Sequence, residues 1–156
     1  MNLETAAFRR ALRRTLGVVI AGFVLAEGSA RAQDTPKYQV IVNASNPVTE
    51  VARAEVSRWF LKQATKWPDG KIVIPLDQST RSEVRAFFCA GVHRQSTQAI
   101  ETYWQKQIFS GRTTPPFVKV GDAEVMTYVS SNAAAIGYVA ADATLMSGVK
   151  TIKIKE

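Results

Sequence analysis

The sequence predicts an α/β layer sandwich, in which helices cover both faces of a short mixed or parallel sheet. Three observations predict this fold. Short β-branched runs alternate with helical patterns along the chain. One run, Ile72–Leu76, is wholly apolar, as in a parallel strand that helices cover on both faces. The helical patterns repeat their apolar residues at i, i+3, i+4 spacing. The predicted order is β-α-β-α-α-α-β-β.

The first 32 residues have the three parts of a secretory signal peptide. Arginines crowd the start, an apolar run too short to span a bilayer follows, and Ala30-Arg31-Ala32 offers a cleavage site. We expect export to the periplasm, cleavage before Gln33, no stable membrane insertion afterwards, and a single domain at residues 33–156. The stretch Phe8–Arg13 loosely resembles a twin-arginine signal, so both export routes stay open.

Composition excludes several classes of function. Removal of the presequence lowers the formal net charge from +7 to +4, because five basic and two acidic residues leave with it. The remaining basic residues cluster only at the end of the chain, so no nucleic-acid partner is expected. One cysteine and one histidine cannot form an internal disulfide or a zinc site of the usual kind, and no cofactor is expected. Cys89, beside two phenylalanines, is predicted to be a core residue.

The first half of the mature chain has a strand, a helix and a second strand. Tyr38–Val42 is the first strand, and a turn at Trp67–Gly70 precedes the second strand at Ile72–Leu76. Between them a helical pattern starts at Glu50. Its apolar stripe consists of Val51, Val56, Trp59 and Phe60.

A helix is predicted to begin at Thr80 or beside it, shortly after the second strand. Thr80 and Glu83 have the spacing of a capping box. The helical spacing continues through Val84, Phe87, Phe88, Gly91 and Val92.

The second half of the chain predicts two more helices and two more strands. Ser96 caps a third helix that ends at Gly111, and Asp122 caps a short fourth helix. The third helix presents Ile100, Tyr103, Trp104 and Ile108 on one face, and the fourth carries Val125, Met126 and Val129. Ala135–Val139 is the next strand, and its Gly137 indicates close approach by a neighbour or a ligand. Lys150–Ile154 alternates like a half-exposed edge strand.

The turn between the second strand and its helix is the candidate site. A helix start has amide groups without partners and a partial positive charge, which attract anions. Ser79, Thr80 and Ser82 add hydroxyls there, and Arg81 adds a guanidinium. The turn therefore has two interpretations. It binds a small oxyanion, or its hydroxyls only cap the helix while Arg81 is solvated.

Five segments follow one another along the chain: Val42–Pro47, Trp59–Leu61, Trp67–Gly70, Asp77–Arg81 with Phe88, and Ala135–Val139. In this order they resemble segments of the substrate-binding proteins of phosphate ABC transporters, in the type II periplasmic binding protein superfamily. The resemblance runs from about Val40 to Val149. The family closes two lobes around its ligand, and its first lobe brings its own phosphate loop. No such loop precedes Tyr38, so the resemblance implies a single lobe.

The resemblance also implies which residues hold the ligand. The family's turn carries an acidic residue followed by a serine-glycine-threonine group that holds phosphate. Asp77 and Ser79 match, the glycine is missing, and Thr80 or Arg81 stands in the threonine position. Asp77 would accept a hydrogen bond from protonated phosphate, Ser79 and Thr80 would donate, and Arg81 would supply charge.

Three hypotheses for function follow. The first is an exported module that binds phosphate or a similar oxyanion, weakly because a lone lobe offers only two or three charge-assisted hydrogen bonds. The second is a periplasmic interaction or accessory protein without a small ligand, which binds a partner or itself through the face left by the missing lobe. The third is a hydrolase, which would need Ser79 or Ser110 near His93. A structural role for His93 is favoured instead, and no enzyme is predicted.

Overall fold

The computed structural model describes residues 37–156, which form a five-stranded mixed sheet with helices on both faces and a separate pair of short strands. The strands are β1 (Tyr38–Asn43), β2 (Glu50–Ala52), β3 (Ile74–Gln78), β4 (Phe117–Lys119), β5 (Ala135–Ala140), β6 (Val149–Thr151) and β7 (Lys153–Lys155). The helices are α1 (Arg53–Phe60), α2 (Glu83–Phe88), α3 (Thr97–Phe109) and α4 (Asp122–Ser131). The predicted α/β fold is confirmed. The predicted signal peptide and mature start lie outside the described residues.

The five-stranded sheet has the order β4-β3-β5-β1-β6. Strand β3 is parallel to β4 and β5, as predicted, but it begins two residues later than the predicted Ile72–Leu76, and Ile72 is exposed. Strand β1 is antiparallel to both β5 and β6, and β2 pairs with β7 in parallel. Helices α2 and α3 connect β3 to β4, and α4 connects β4 to β5.

Alternate residues of the central strands face opposite sides of the sheet, and each side has its own core. One core joins Val40, Val42, Ile136 and Tyr138 to Trp59 and Phe60 of α1 and Phe88 of α2. The other joins Ile41, Leu76, Ala135 and Val139 to Val125 and Val129 of α4. Helices α2 and α4 therefore cover opposite faces of the sheet.

Several strand boundaries differ from the prediction. Residues 50–52 were predicted to begin the first helix, but they form β2, because β7 provides a partner that only the fold brings near. The predicted edge strand at 150–154 is two short strands, divided at Ile152, whose amide donates to Val40 O at 3.0 Å. Strand β4 follows Pro116 and was not predicted.

Helix α2 begins three residues later than predicted. Ser82 is its N-cap, since its Oγ accepts a hydrogen bond from Arg85 N, so the prediction that Thr80 caps this helix is wrong. Thr80 and Arg81 instead form a turn, which Ser82 N closes by donating to Ser79 O at 2.9 Å. The helix continues into a π-helical turn at Cys89–His93.

The apolar faces of the helices are partly as predicted. Ser96 caps α3 as expected, and Ile100 and Trp104 are buried, but Ile108 is exposed. Asp122 is the first residue of α4 rather than its cap, which is Gly121. No helix within residues 37–156 combines the length and apolarity needed to cross a bilayer.

Candidate functional site

The candidate site is a crevice at the carboxyl ends of β3 and β4. Because α2 and α4 cover opposite faces, the chain leaves these neighbouring parallel strands in opposite directions, and ligands of open α/β sheets bind in such crevices. The crevice is open, with a volume of about 590 Å³. It is lined by Gln78 at the end of β3, by Ser79, Arg81, Ser82 and Val84 after β3, and by Val120, Gly121 and Asp122 after β4.

Three predicted site residues lie in the turn that borders this crevice. Ser79 N donates to Lys119 O at 2.8 Å, which ties the turn to β4. Ser79 Oγ accepts from Arg81 N at 3.3 Å. The side chains of Thr80 and Arg81 are exposed, and within residues 37–156 neither forms a hydrogen bond or an ion pair. The guanidinium of Arg81 is therefore available to a ligand.

The fourth predicted site residue, Asp77, is directed into the protein. Its Oδ2 accepts from Arg85 Nε at 3.1 Å. Its Oδ1 accepts from Gln78 N at 2.8 Å and also from the hydroxyl of Tyr138. Asp77 therefore does not line the crevice, because its carboxylate is turned towards Arg85 of α2, whereas the turn with Ser79, Thr80 and Arg81 follows the end of β3 at Gln78.

The partners of Asp77 belong to a buried polar network. Arg85 is 4 % exposed, and its Nη1 also contacts Glu101 Oε1 of α3 at 3.3 Å. Desolvation lowers the pKa of Arg85, but the charge and hydrogen bond of Asp77 outweigh it, and the net pKa is raised. Burial, followed by the charge of Asp77, raises the pKa of Tyr138 strongly. Arg85 is therefore cationic and Tyr138 neutral, and the network fixes α2 to the end of β3.

A second network places a carboxylate in the crevice. Gln78 is 1 % exposed, and its Nε2 donates to Asp122 Oδ1 at 2.7 Å, while its Oε1 accepts from Ser82 Oγ at 2.7 Å. Asp122 Oδ2 accepts from Ala140 N at 3.0 Å. The crevice therefore has one exposed cation, Arg81, and one hydrogen-bonded anion, Asp122.

Four residues of these two networks were not predicted to be parts of the site: Arg85, Gln78, Asp122 and Tyr138. A signal for Arg85 was present, because Arg85, Phe88 and Val92 have the i, i+3, i+7 spacing of one helical face. The apolar residues Val84 and Phe87 led to a stripe turned slightly away from that face. No sequence signal was present for Gln78 and Asp122, which meet only across β3 and β4.

The geometry around His93 does not form a hydrolytic site. Its Nδ1 lies 2.8 Å from Ser57 Oγ, so among residues 37–156 the imidazole pairs with Ser57 rather than with Ser79 or Ser110. Burial, with a smaller contribution from Arg85, lowers the pKa of His93 to about 4, so the imidazole is neutral at pH 7. Cys89 is buried as predicted, and burial raises the pKa of its thiol to about 11. Within residues 37–156 no cluster of acidic, His and Cys side chains could hold a metal ion.

Comparisons with known proteins support the predicted resemblance. No protein-family model matches the chain, and no curated protein matches it. The fold is similar to a solved structure from Clostridium perfringens, named as a phosphate ABC transporter substrate-binding protein with bound phosphate, at TM-score 0.59 and 16% identity over 76% of this chain and 44% of that one. It is also similar to an ABC-type phosphate transport receptor from Vibrio cholerae, at TM-score 0.52 and 18% identity, covering 76% and 46% of the two chains.

A third similar structure is PstS from Borrelia burgdorferi, at TM-score 0.53 and 10% identity, covering 77% of this chain and 47% of that one. This chain thus spans less than half the length of each of the three solved proteins. At such low identities the similarity is one of fold. The prediction of a periplasmic-binding-protein-like fold that corresponds to a single lobe is confirmed.

Proposed function

We propose that this protein is an exported, phosphate-binding-protein-like module that binds phosphate or a similar oxyanion weakly. The observation that carries the proposal is the exposed guanidinium of Arg81 at a crevice formed where two parallel strands end. The similar fold of proteins named for phosphate transport supports the choice of ligand.

The roles of the turn residues follow from their positions. Arg81 supplies the positive charge and a planar set of donors. The hydroxyls of Ser79 and Thr80 donate hydrogen bonds to oxyanion oxygens. Asp77 positions α2 through its contact with Arg85. Both oxygens of Asp77 accept hydrogen bonds from protein groups in this structure, and a direct contact between Asp77 and protonated phosphate stays a prediction.

The charges in the crevice explain why the proposed affinity is weak. Asp122 is an anion in the same crevice as Arg81 and opposes a second anion. Two or three charge-assisted hydrogen bonds of about 1.5–3 kcal/mol each are largely offset by the cost of association. A dissociation constant in the millimolar range or above is expected, about −4 kcal/mol or weaker.

Calorimetry with inorganic phosphate tests this proposal. The purified exported protein should show saturable heat at millimolar phosphate, and Arg81→Ala should weaken binding about tenfold. Arg58→Ala is the matched control, because Arg58 is exposed on α1 and pairs with Glu55 away from the crevice. Heat that is unchanged by Arg81→Ala, or equally reduced by Arg58→Ala, would reject the site.

A second candidate function is self-association as an interaction or accessory protein. Within residues 37–156 β4 pairs only with β3, so its other edge is open beside the crevice. Phe117, Val118 and Val120 are exposed on this segment, and an open apolar edge strand can pair with another strand. Light scattering should show a concentration-dependent dimer, and Val118→Asp should abolish it. A strictly monomeric protein at high concentration would reject this candidate.

A further inference from the structure

A second, more enclosed pocket lies at the other end of the central strands from the crevice. It has a volume of about 330 Å³ and lies where β1 ends and where β3 and β5 begin. Strand β3 has five residues, so its two ends, one beside each pocket, are about 17 Å apart. This pocket brings together segments 45–48, 67–71 and 133–134. The first two contain sequence motifs, Asn46-Pro47 and Trp67-Pro68-Asp69, that the oxyanion site does not use.

The pocket lining is mostly apolar, and its polar side chains are Ser45, Asn46, Asp69 and Lys71. Pro47, Val48, Trp67 and Pro68 provide apolar surface, and prolines have no amide hydrogen to donate. Asn46 is 6 % exposed and also lines the pocket. The volume of the pocket is at the lower end of the range of pockets that bind small molecules.

The side-chain nitrogen of Asn46 is a donor without a protein partner. Asn46 Oδ1 accepts from Val48 N at 2.9 Å, and Asn46 O accepts from the amine of Lys150. Among residues 37–156, Nδ2 donates to no group. Every fully buried side-chain nitrogen or oxygen of these residues has a hydrogen-bond partner, so Nδ2 is in contact with solvent. Nδ2 is thus an unused donor, among the described residues, on a buried side chain that lines the pocket.

The rim of the pocket has one charge of each sign. Lys71 Nζ lies 3.0 Å from Asp69 Oδ2, and both side chains are exposed. Such surface ion pairs contribute little free energy, so a ligand can replace the contact between them. Opposite charges at the rim, an amide donor inside and an apolar wall are complementary to a zwitterion with an apolar side chain.

We propose that this pocket binds a free α-amino acid with an apolar side chain. The ligand carboxylate accepts hydrogen bonds from Asn46 Nδ2 and Lys71 Nζ, and the ammonium pairs with Asp69. The side chain packs against Trp67 and the two prolines. This site is separate from the oxyanion crevice and does not depend on it.

An NMR titration of the purified exported protein with L-leucine tests the proposal, with the indole N–H of Trp67 as the local probe. Isocaproate lacks the ammonium and isoamylamine lacks the carboxylate. Leucine should shift the Trp67 resonance in a saturable way at millimolar concentration, and both analogues should bind about tenfold more weakly. No saturable shift, or equal binding of an analogue, would overturn the proposal. Binding of a peptide but not of leucine would also overturn it, since the pocket would then dock a protein segment.

Two variants identify the donors. Asn46→Asp keeps an oxygen for Val48 N but replaces the donor by a carboxylate, so leucine should bind at least tenfold more weakly. Lys71→Met removes an exposed charge without disturbing the core and should weaken binding severalfold, which keeps the test valid if Asn46→Asp fails to fold. Arg81→Ala, at the other end of the central strands, is the control and should leave leucine binding unchanged. Full binding by Lys71→Met would reject the proposed contacts.

Discussion

The guanidinium of Arg85 lies against the carboxylate of Asp77, with 3.1 Å between Nε and Oδ2, and both side chains are largely buried. This contact joins α2 to the last residues of β3. Phe88, one turn further along α2, stacks on Tyr138 with ring centroids 3.9 Å apart, and Tyr138 donates to the same carboxylate. The turn that carries Ser79 to Arg81 is therefore held at both of its ends.

Removal of one partner of this pair should be strongly destabilising. Arg85→Met leaves the Asp77 charge buried and unpaired, which costs about 3–5 kcal/mol in the free energy of unfolding. Urea denaturation of the purified protein measures this loss. Arg58→Ala, which breaks the exposed pair with Glu55, should cost less than about 1 kcal/mol.

The effect of Asp77→Asn should depend on the residue at position 85. Asn keeps an oxygen for Tyr138 and Gln78 but has no charge, so the substitution should destabilise the natural protein and stabilise the Arg85→Met variant. Urea denaturation of the single and double variants gives the coupling energy. An equal cost of Asp77→Asn in both backgrounds would contradict a buried ion pair.

His93 should make the stability of the protein depend on pH below neutrality. Its pKa is lowered from 6.5 to about 4 by burial, so the unfolded state binds more protons than the native state between these values. The contribution of His93 to the free energy of unfolding is fully present above pH 6.5 and is lost as the pH falls to about 4. Between pH 7.5 and pH 5 the loss should be about 2 kcal/mol.

Denaturation of His93→Gln at both pH values isolates this contribution, because other groups titrate equally in the two proteins. The variant should lose less stability than the natural protein over the same interval. A variant with the same pH dependence as the natural protein would show that His93 does not cause it.

The sheet and most helices were predictable because their apolar periodicity is local. Strand β1 and helix α3 have that pattern in their own residues, and their positions agree with the prediction. Strands β2 and β4 have only three residues each, so only a partner distant in sequence defines them as strands. Their pairing with β7 and β3 is a property of the whole fold.

The candidate site was predictable only in part for the same reason. Ser79, Thr80 and Arg81 could be predicted as candidate site residues because a strand-to-helix turn has a local signature. The orientation of Asp77 depends on Arg85 and Tyr138, and the latter is 61 residues away. A carboxylate beside a hydroxyl-rich turn has the same sequence pattern whether it faces a ligand or the core.

Cys89 should be unreactive in the native protein. The residue is 2 % exposed, and burial raises the pKa of its thiol to about 11, so little thiolate is present at pH 8. Labelling with a thiol-specific disulfide reagent should be at least about 100-fold slower in the native protein than in urea. Rapid labelling under native conditions would show that the π-helical turn opens readily.

Gly137 should not tolerate a side chain, because α4 packs directly on β5. A β-carbon at this position would overlap Val125 Cγ1. Gly137 is buried, and Val125 belongs to the core between the sheet and α4. Gly137→Ala should therefore cost about 1–3 kcal/mol in urea denaturation, as overpacking of a filled core does. Val125→Ala removes the clashing methyl groups, so in the Gly137→Ala background it should cost less than it does alone. Gly121→Ala is the control for overpacking, because apart from Gly121 itself and its chain neighbours no atom lies within 4 Å of its β-carbon position.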